Sequence, residues 1–243
     1  MATEYRKRIY DSYVTNGQAG VRDQAVLASR ASPIRDLIRR HFPAEHDLVG
    51  IDLGCGYGAM LHFAHEAGYR GLRGVDQSQE QVDLAQELGV EEVACGGLME
   101  TLAGLPDASQ DLVLAFDVLE HMTRDELIPF VDEVERVLRP GGRWLLKVPN
   151  AESPLFGRVR YGDLTHELAF TRESVSALLR ASGFSQVESF EWGPRPDSLR
   201  GFARWLVWQG IRAGLRVWLA AESGDAGGRA VFTQTLVAVA IKR

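Results

Sequence analysis

From residue 48 to about residue 192, short apolar runs alternate with stretches of helical periodicity. Residues 48–53 read as a strand, followed by a helix over 58–68 that Gly68 closes. Residues 72–76 form a second strand. Ser78 and Gln81 are spaced as a capping box for a helix over 79–88, stopped at Gly89. Residues 91–95 read as a short third strand, and 112–116 as a fourth whose apolar composition suits burial on both faces. Thr123 and Glu126 make another capping box, opening a helix with Leu127, Val131, Val134 and Leu138 on one face. Pro140-Gly141-Gly142 predicts a tight turn before a fifth strand at 143–148. This rhythm predicts an α/β fold with a doubly wound parallel sheet and right-handed crossovers.

The two ends depart from that rhythm. Residues 4–41 read as helices, with Pro33 suited to the first turn of the second one after Ser32. Thr171 caps a helix running to Ser182, Gly183 ends it, 186–192 is a sixth strand, and 231–241 closes the chain. Between the last two strands lies an insert, 193–230, with a helix near 199–220 rich in aromatic residues (Phe202, Trp205, Trp208, Trp218). Arg200, Arg204, Arg212 and Arg216 recur at multiples of four and predict one basic stripe. Four readings stay open for this helix: a membrane-surface contact, a homodimer interface, a cover over a small-molecule pocket, or burial against the sheet.

Composition narrows the class. At 243 residues the chain suits one large α/β domain with a small appendage, here divided as an N-terminal helical segment at 1–44 and a main domain at 45–243. The net charge of −6 argues against broad nucleic-acid binding. Cys55 and Cys95 belong to no Cys-x-x-Cys pattern, so neither a zinc site nor a disulfide framework is expected. The first residues lack an apolar signal region, and the most apolar stretch, 202–221, is interrupted by arginines, so a cytoplasmic location is expected.

The candidate chemistry begins after the first strand. Gly54, Gly56 and Gly58 let the backbone turn sharply and approach a ligand that a Cβ would block. Asp76, ending the next strand, can accept both hydroxyls of a ribose. Gly54-x-Gly56-x-x-Ala59 with Asp76 also satisfies the NAD fingerprint, so an oxidoreductase is one alternative. Asp52 weighs against it, because a carboxylate before the first glycine suits an ammonium-bearing ligand and repels a pyrophosphate.

Four segments, Ile-Asp-Leu-Gly-Cys-Gly-Tyr-Gly (51–58), Gly-Val-Asp-Gln-Ser (74–78), Asp-Val-Leu-Glu-His (117–121) and Leu-Arg-Pro-Gly-Gly (138–142), resemble successive motifs of class I S-adenosylmethionine-dependent methyltransferases. The resemblance covers roughly 45–192 plus the last strand. It implies a Rossmann-like seven-stranded sheet whose last strand inserts antiparallel beside the sixth, and S-adenosylmethionine as cofactor. By that resemblance Asp52, Gly54 and Gly56 line the methionine part and Asp76 holds the ribose, with Cys55, Gln77 and Asp117 in the cofactor-binding set. The family often has an acidic residue for the adenine amine after the third strand; 95–99 offers no carboxylate, leaving Leu98 or Met99 as a stacking surface. Relatives fold an N-terminal helix over the cofactor, which makes 1–44, with Tyr5, Arg6, Tyr10 and Tyr13, a candidate lid. A non-catalytic module that binds the cofactor is the second alternative.

A hydroxyl acceptor needs a base, and His121 and His166 are the candidates. His166 lies in an irregular polar stretch, 161–170, where Asp163 and Glu167 are placed to orient it. Asp117, Glu120 and His121 also resemble the magnesium-binding Glu-x-x-Glu-His cluster of ubiquinone-pathway O-methyltransferases, although aspartate shortens the first arm. The Thr-His-Glu-x-Ala-Phe stretch (165–170) and the tryptophan-rich tail look like methyltransferases of glycan and secondary-metabolite pathways. The expected acceptor is a sugar or other hydroxylated small molecule.

Overall fold

Val113 and Ala115 pack into one core layer while Leu112 and Leu114, their neighbours in the same strand, pack into another. A segment sandwiched in this way has no position for a polar side chain, which is why 112–116 carries none. The computed structural model describes residues 4–10, 24–225 and 227–243. Seven strands, β1 (Gly50–Leu53), β2 (Leu72–Asp76), β3 (Val93–Cys95), β4 (Gln110–Phe116), β5 (Leu138–Pro149), β6 (Phe184–Glu191) and β7 (Thr235–Lys242), form one sheet in the order β3-β2-β1-β4-β5-β7-β6. The first five run parallel, and β7 lies antiparallel between β5 and β6.

On one face lie α2 (Gln24–His41), α3 (Ala59–Glu66) and α4 (Gln79–Glu87), contributing Leu37, Leu61 and Leu84 to the core. On the other lie α5 (Leu98–Ala103), α6 (Arg124–Val137) and α8 (Arg172–Ala181), contributing Leu102, Val134 and Leu179. The short helices α1 (Glu4–Tyr10) and α7 (Phe156–Arg160) and the long α9 (Leu199–Ser223) complete the described elements, with a 3-10 turn at Leu119–His121. Strand order reverses between β1 and β4, so a crevice opens there, outside the carboxyl ends of the strands.

Several local expectations shift. The Thr123–Glu126 capping box forms in full. The Ser78–Gln81 box does not: the Ser78 side chain makes no cap bond and its hydroxyl lies 3.5 Å from the Tyr10 carbonyl, reaching α1 instead. Pro33 lies inside α2, which runs unbroken past Ser32, and the Ser32 hydroxyl donates to Asp197 rather than capping a new helix. The last strand starts at Thr235 rather than 231, because Asn150 Nδ2 occupies the Val231 and Thr233 carbonyls at 2.6 and 2.8 Å. Pro140-Gly141-Gly142 bulges within β5, where pairing jumps from Gln110↔Leu138 to Leu112↔Arg143.

The basic stripe also fails as one face. Arg200 and Arg204 are exposed, whereas Arg212 and Arg216 are half-buried, and Arg212 Nε lies 3.3 Å from Glu191. A spacing of four overshoots the ~3.6-residue turn, so the arginines wind around the helix. No residue of α9 is fully buried. Tyr13 and the rest of 11–23 lie outside the described residues. Among the described residues, no helix is long and apolar enough to cross a membrane.

Candidate active site

The crevice at the β1/β4 switch holds a cavity of about 1300 Å³. That exceeds the ~300–1,000 Å³ of a typical small-molecule pocket, so it has room for two ligands side by side. Its floor is the turn after β1. Gly54, Gly56 and Gly58 have φ of 72°, 55° and 74°, a region that side chains resist. At Gly54 an added Cβ would also meet Val118 Cγ2 at 2.6 Å, so only glycine fits. The turn is fastened to β2 through Val75, whose carbonyl accepts from the Gly54 and Cys55 amides at 2.8 and 3.1 Å.

Two carboxylates flank this turn. Asp76 accepts from the Gly56 amide at 2.8 Å and the Ser78 amide at 2.9 Å, so both cavity loops are pinned to one side chain. Burial raises its pKa while those amides oppose the rise. Asp52 is buried, and no donor among the described residues reaches its carboxylate. Burial, and then the charge of Asp76, push its pKa up to about 7. Cys55 turns its thiol towards Gly74, where an added Cβ would meet Sγ at 2.6 Å, so it also fills space behind the turn.

The remaining sequence candidates line the same cavity. Gln77 is among them, as are Leu98 and Met99 from the first turn of α5. Glu100, one residue beyond the stretch searched for an acidic group, joins them, its carboxylate lying against Gly97. Gln81 is buried with Oε1 unpartnered, 3.6 Å from where a Gly56 Cβ would stand. Its spacing suggested a cap; freed from that role, the side chain faces the glycine turn.

A second group lies along the edge of β4. Asp117, at φ 58°, pairs with Lys147 Nζ at 2.6 Å. Glu120 is fully buried with neither carboxylate oxygen hydrogen-bonded, and burial, then the charge of Asp117, hold its pKa well above the carboxylate range. One donor atom from each of Glu120, His121 and His166 lies within 4.8 Å of the others. The oxygen set expected for magnesium is therefore not what converges. Asp117 is committed to Lys147, and one carboxyl with two imidazoles is a mixed donor set rather than the oxygen shell that ion takes. Of the three expected ligands, Glu120 and His121 come together, and His166 stands where Asp117 was expected.

The histidines are oriented from behind. Thr165 Oγ1 donates to Asp163 Oδ1 at 2.6 Å, so it accepts from His121 Nδ1 at 2.8 Å. The proton of His121 is thus on Nδ1, leaving Nε2 with its lone pair. His166 Nδ1 lies 2.9 Å from the Val159 carbonyl, which fixes the same tautomer. The expected partners of His166 are engaged elsewhere: Asp163 serves Thr165, and Glu167 takes Tyr5 and, at 3.4 Å, Arg6. Burial, and next the neighbouring His166, lower the His121 pKa to about 4.

The N-terminal helix borders the cavity. Arg6 is buried and pairs with Glu126 at 2.9 Å, while Tyr10 meets the His121 ring edge-on at 6.1 Å.

Comparison with known proteins places this cavity in context. Residues 51–146 match the family model described as a methyltransferase domain. A Mycolicibacterium smegmatis protein described as a probable S-adenosylmethionine-dependent methyltransferase is 34% identical over 145 residues, covering 59% of this chain and 54% of that protein. An uncharacterised 37.1 kDa transposon protein of Streptomyces fradiae is 30% identical over 179 residues, covering 71% of this chain and 50% of that one. The chain thus spans about half the length of the curated relatives it matches. The crystal structure of a SAM-dependent methyltransferase from Archaeoglobus fulgidus has the same fold, with a TM-score of 0.67 at 21% identity over 99% of this chain and 100% of that one.

Proposed function

We propose that this chain acts as a class I S-adenosylmethionine-dependent methyltransferase, the reading that its matched domain, a relative and its fold support, and that it methylates a hydroxyl oxygen of a small polar acceptor, such as a sugar, with a histidine as base. The observation that carries this reading is the pair of imidazoles on the cavity wall, each held with Nδ1 occupied and Nε2 open.

The residues present fit the cofactor. S-adenosylmethionine is cationic at its sulfonium and ammonium groups, and when bound it supplies an electrophilic methyl. Asp52, buried with no donor among the described residues, suits the ammonium. The glycine turn lets the backbone approach the methionine part, and Asp76 with Gln77 faces the ribose. The unpartnered Gln81 Oε1 is a further acceptor beside the turn. Leu98 and Met99 offer an apolar surface to adenine, and Glu100 supplies the carboxylate missing from 95–99.

On the acceptor side the protein's work is alignment and proton removal. In-line displacement gains most from holding nucleophile and methyl carbon in register. The acceptor proton goes to Nε2 of His166. His121 is the poorer acceptor, because burial holds it to a pKa of about 4. It stays neutral, positioned by the Thr165–Asp163 chain. Helix α1 acts as a lid, with Arg6 latched to Glu126 and Glu167. No step requires magnesium.

Calorimetry tests the cofactor half directly: S-adenosylhomocysteine binds and NAD does not. NAD binding with S-adenosylhomocysteine silent would overturn the reading.

A further inference from the structure

The outward side of α9 carries Ala203, Val207, Gly210, Gly214, Val217 and Ala221, all exposed and spaced by four and three residues in turn. This is the spacing of a helix–helix seam. The series reads the same from either end about residue 212, with alanine, valine and glycine in matching places. A Cβ at Gly210 or at Gly214 would meet nothing within 4 Å. Each glycine costs the helix about 1 kcal/mol relative to alanine, and no contact among the described residues explains that cost. Larger apolar side chains flank the seam: Phe202, Leu206, Ile211 and Trp218 are 48% to 63% exposed.

Charge supplies the second observation. Arg204 and Glu222 are both exposed and 18 residues apart, which is five turns, so they lie on one flank of the helix. They sit at opposite ends, symmetric about residue 213. A two-fold axis near the helix centre would set Arg204 beside Glu222 of a second copy, and Glu222 beside Arg204 of that copy. Only a self-complementary patch satisfies such an axis. The antiparallel arrangement also opposes the two helix dipoles favourably. An anionic membrane would attract Arg200 and Arg204 but repel Glu222 at the other end of the helix.

The helix is held firmly enough to present this surface. Trp208 Nε1 donates to Glu191 at 3.2 Å, Arg212 pairs with the same carboxylate, and Arg195 pairs with Asp36 on α2. Trp208 and Arg212 lie on the opposite, half-buried side of the helix, and Arg195 anchors the segment that leads into it.

We propose that α9 is a self-association surface, on which two copies of this chain pair antiparallel, glycine against glycine, about a two-fold axis near residue 212. The occupant is a second copy of the chain, and the inference does not depend on the methyl-transfer reading.

Light scattering with size exclusion on the full chain tests it. The expected result is a dimer in the micromolar range. Arg204→Glu weakens it about tenfold, since symmetry turns two attractions into two repulsions. Adding Glu222→Arg to that variant restores the dimer. Gly210→Gln with Gly214→Gln gives a monomer of unchanged circular dichroism, because glutamine is the better helix former and enters open space. A wild-type chain that stays monomeric at every concentration overturns the proposal, as does a charge swap that restores nothing. A monomer that binds phosphatidylglycerol-containing vesicles with a blue shift of tryptophan emission assigns the face to lipid instead.

Discussion

The rings of His121 and His166 meet edge to face with centroids 4.6 Å apart. At that separation a charge on the His166 ring disfavours one on His121. If His166 receives the acceptor proton, His166→Gln lowers kcat by roughly 10²–10⁴. Its affinity for S-adenosylhomocysteine stays unchanged. His121→Gln is milder, because His121 stays neutral throughout. Single-turnover rates alongside calorimetry separate the two effects.

His121 also makes stability depend on pH. Its pKa falls from 6.5 to about 4 on folding, through burial first and His166 second. Between those values the unfolded chain binds a proton that the folded chain refuses. The contribution is therefore complete above the unfolded pKa and fades as pH falls from 6.5 towards 4, amounting to about 3 kcal/mol. Urea midpoints at pH 7 and pH 4.5 should converge in His121→Gln relative to the wild type; an undiminished gap assigns the acid sensitivity to other groups.

Asp52 shifts the other way. Its folded pKa of about 7 lies above the ordinary 3.8, again through burial and then Asp76. The neutral carboxyl thus favours the folded state below 3.8, and that gain is lost as pH rises through 7. A cationic cofactor reverses the preference, so binding at pH 6 expels a proton. Calorimetry with S-adenosylmethionine in buffers of different ionisation enthalpy should report that release. Asp52→Asn should abolish it and weaken binding roughly 10–100-fold, the scale of a charged contact.

Because Asp117 is paired with Lys147, exhaustive EDTA treatment should leave turnover unchanged. Loss of activity that magnesium restores would mean that this ion pair opens in the working enzyme.

The parts of this site legible in the sequence were local ones. A strand, three glycines and a carboxylate one strand later follow one another within 50–76, and the sheet has one way to arrange them. The tautomer of His121 was not legible, since it depends on Thr165 and Asp163 reaching back across 44 residues. Nor was the loss of Asp117, just past the end of β4, to Lys147 on the neighbouring β5, since only the folded sheet defines their register. Ser78 and Gln81 satisfied a local rule, yet α1 and the glycine turn claimed them. The arginines of α9 misled for a geometric reason, the drift between a four-residue repeat and the helical turn. The acceptor left no comparable signature, because a polar pocket wall assembled from β4, α1 and 161–170 has no fixed spacing.

The central claim is that this cavity moves a methyl group onto oxygen. Incubating the full chain with methyl-labelled S-adenosylmethionine and a pool of sugars and other hydroxylated metabolites tests it most directly. The account predicts label on a hydroxyl oxygen, located by mass spectrometry, and its loss in His166→Gln. Tight binding of S-adenosylhomocysteine with no transfer, or label found only on nitrogen, would contradict it.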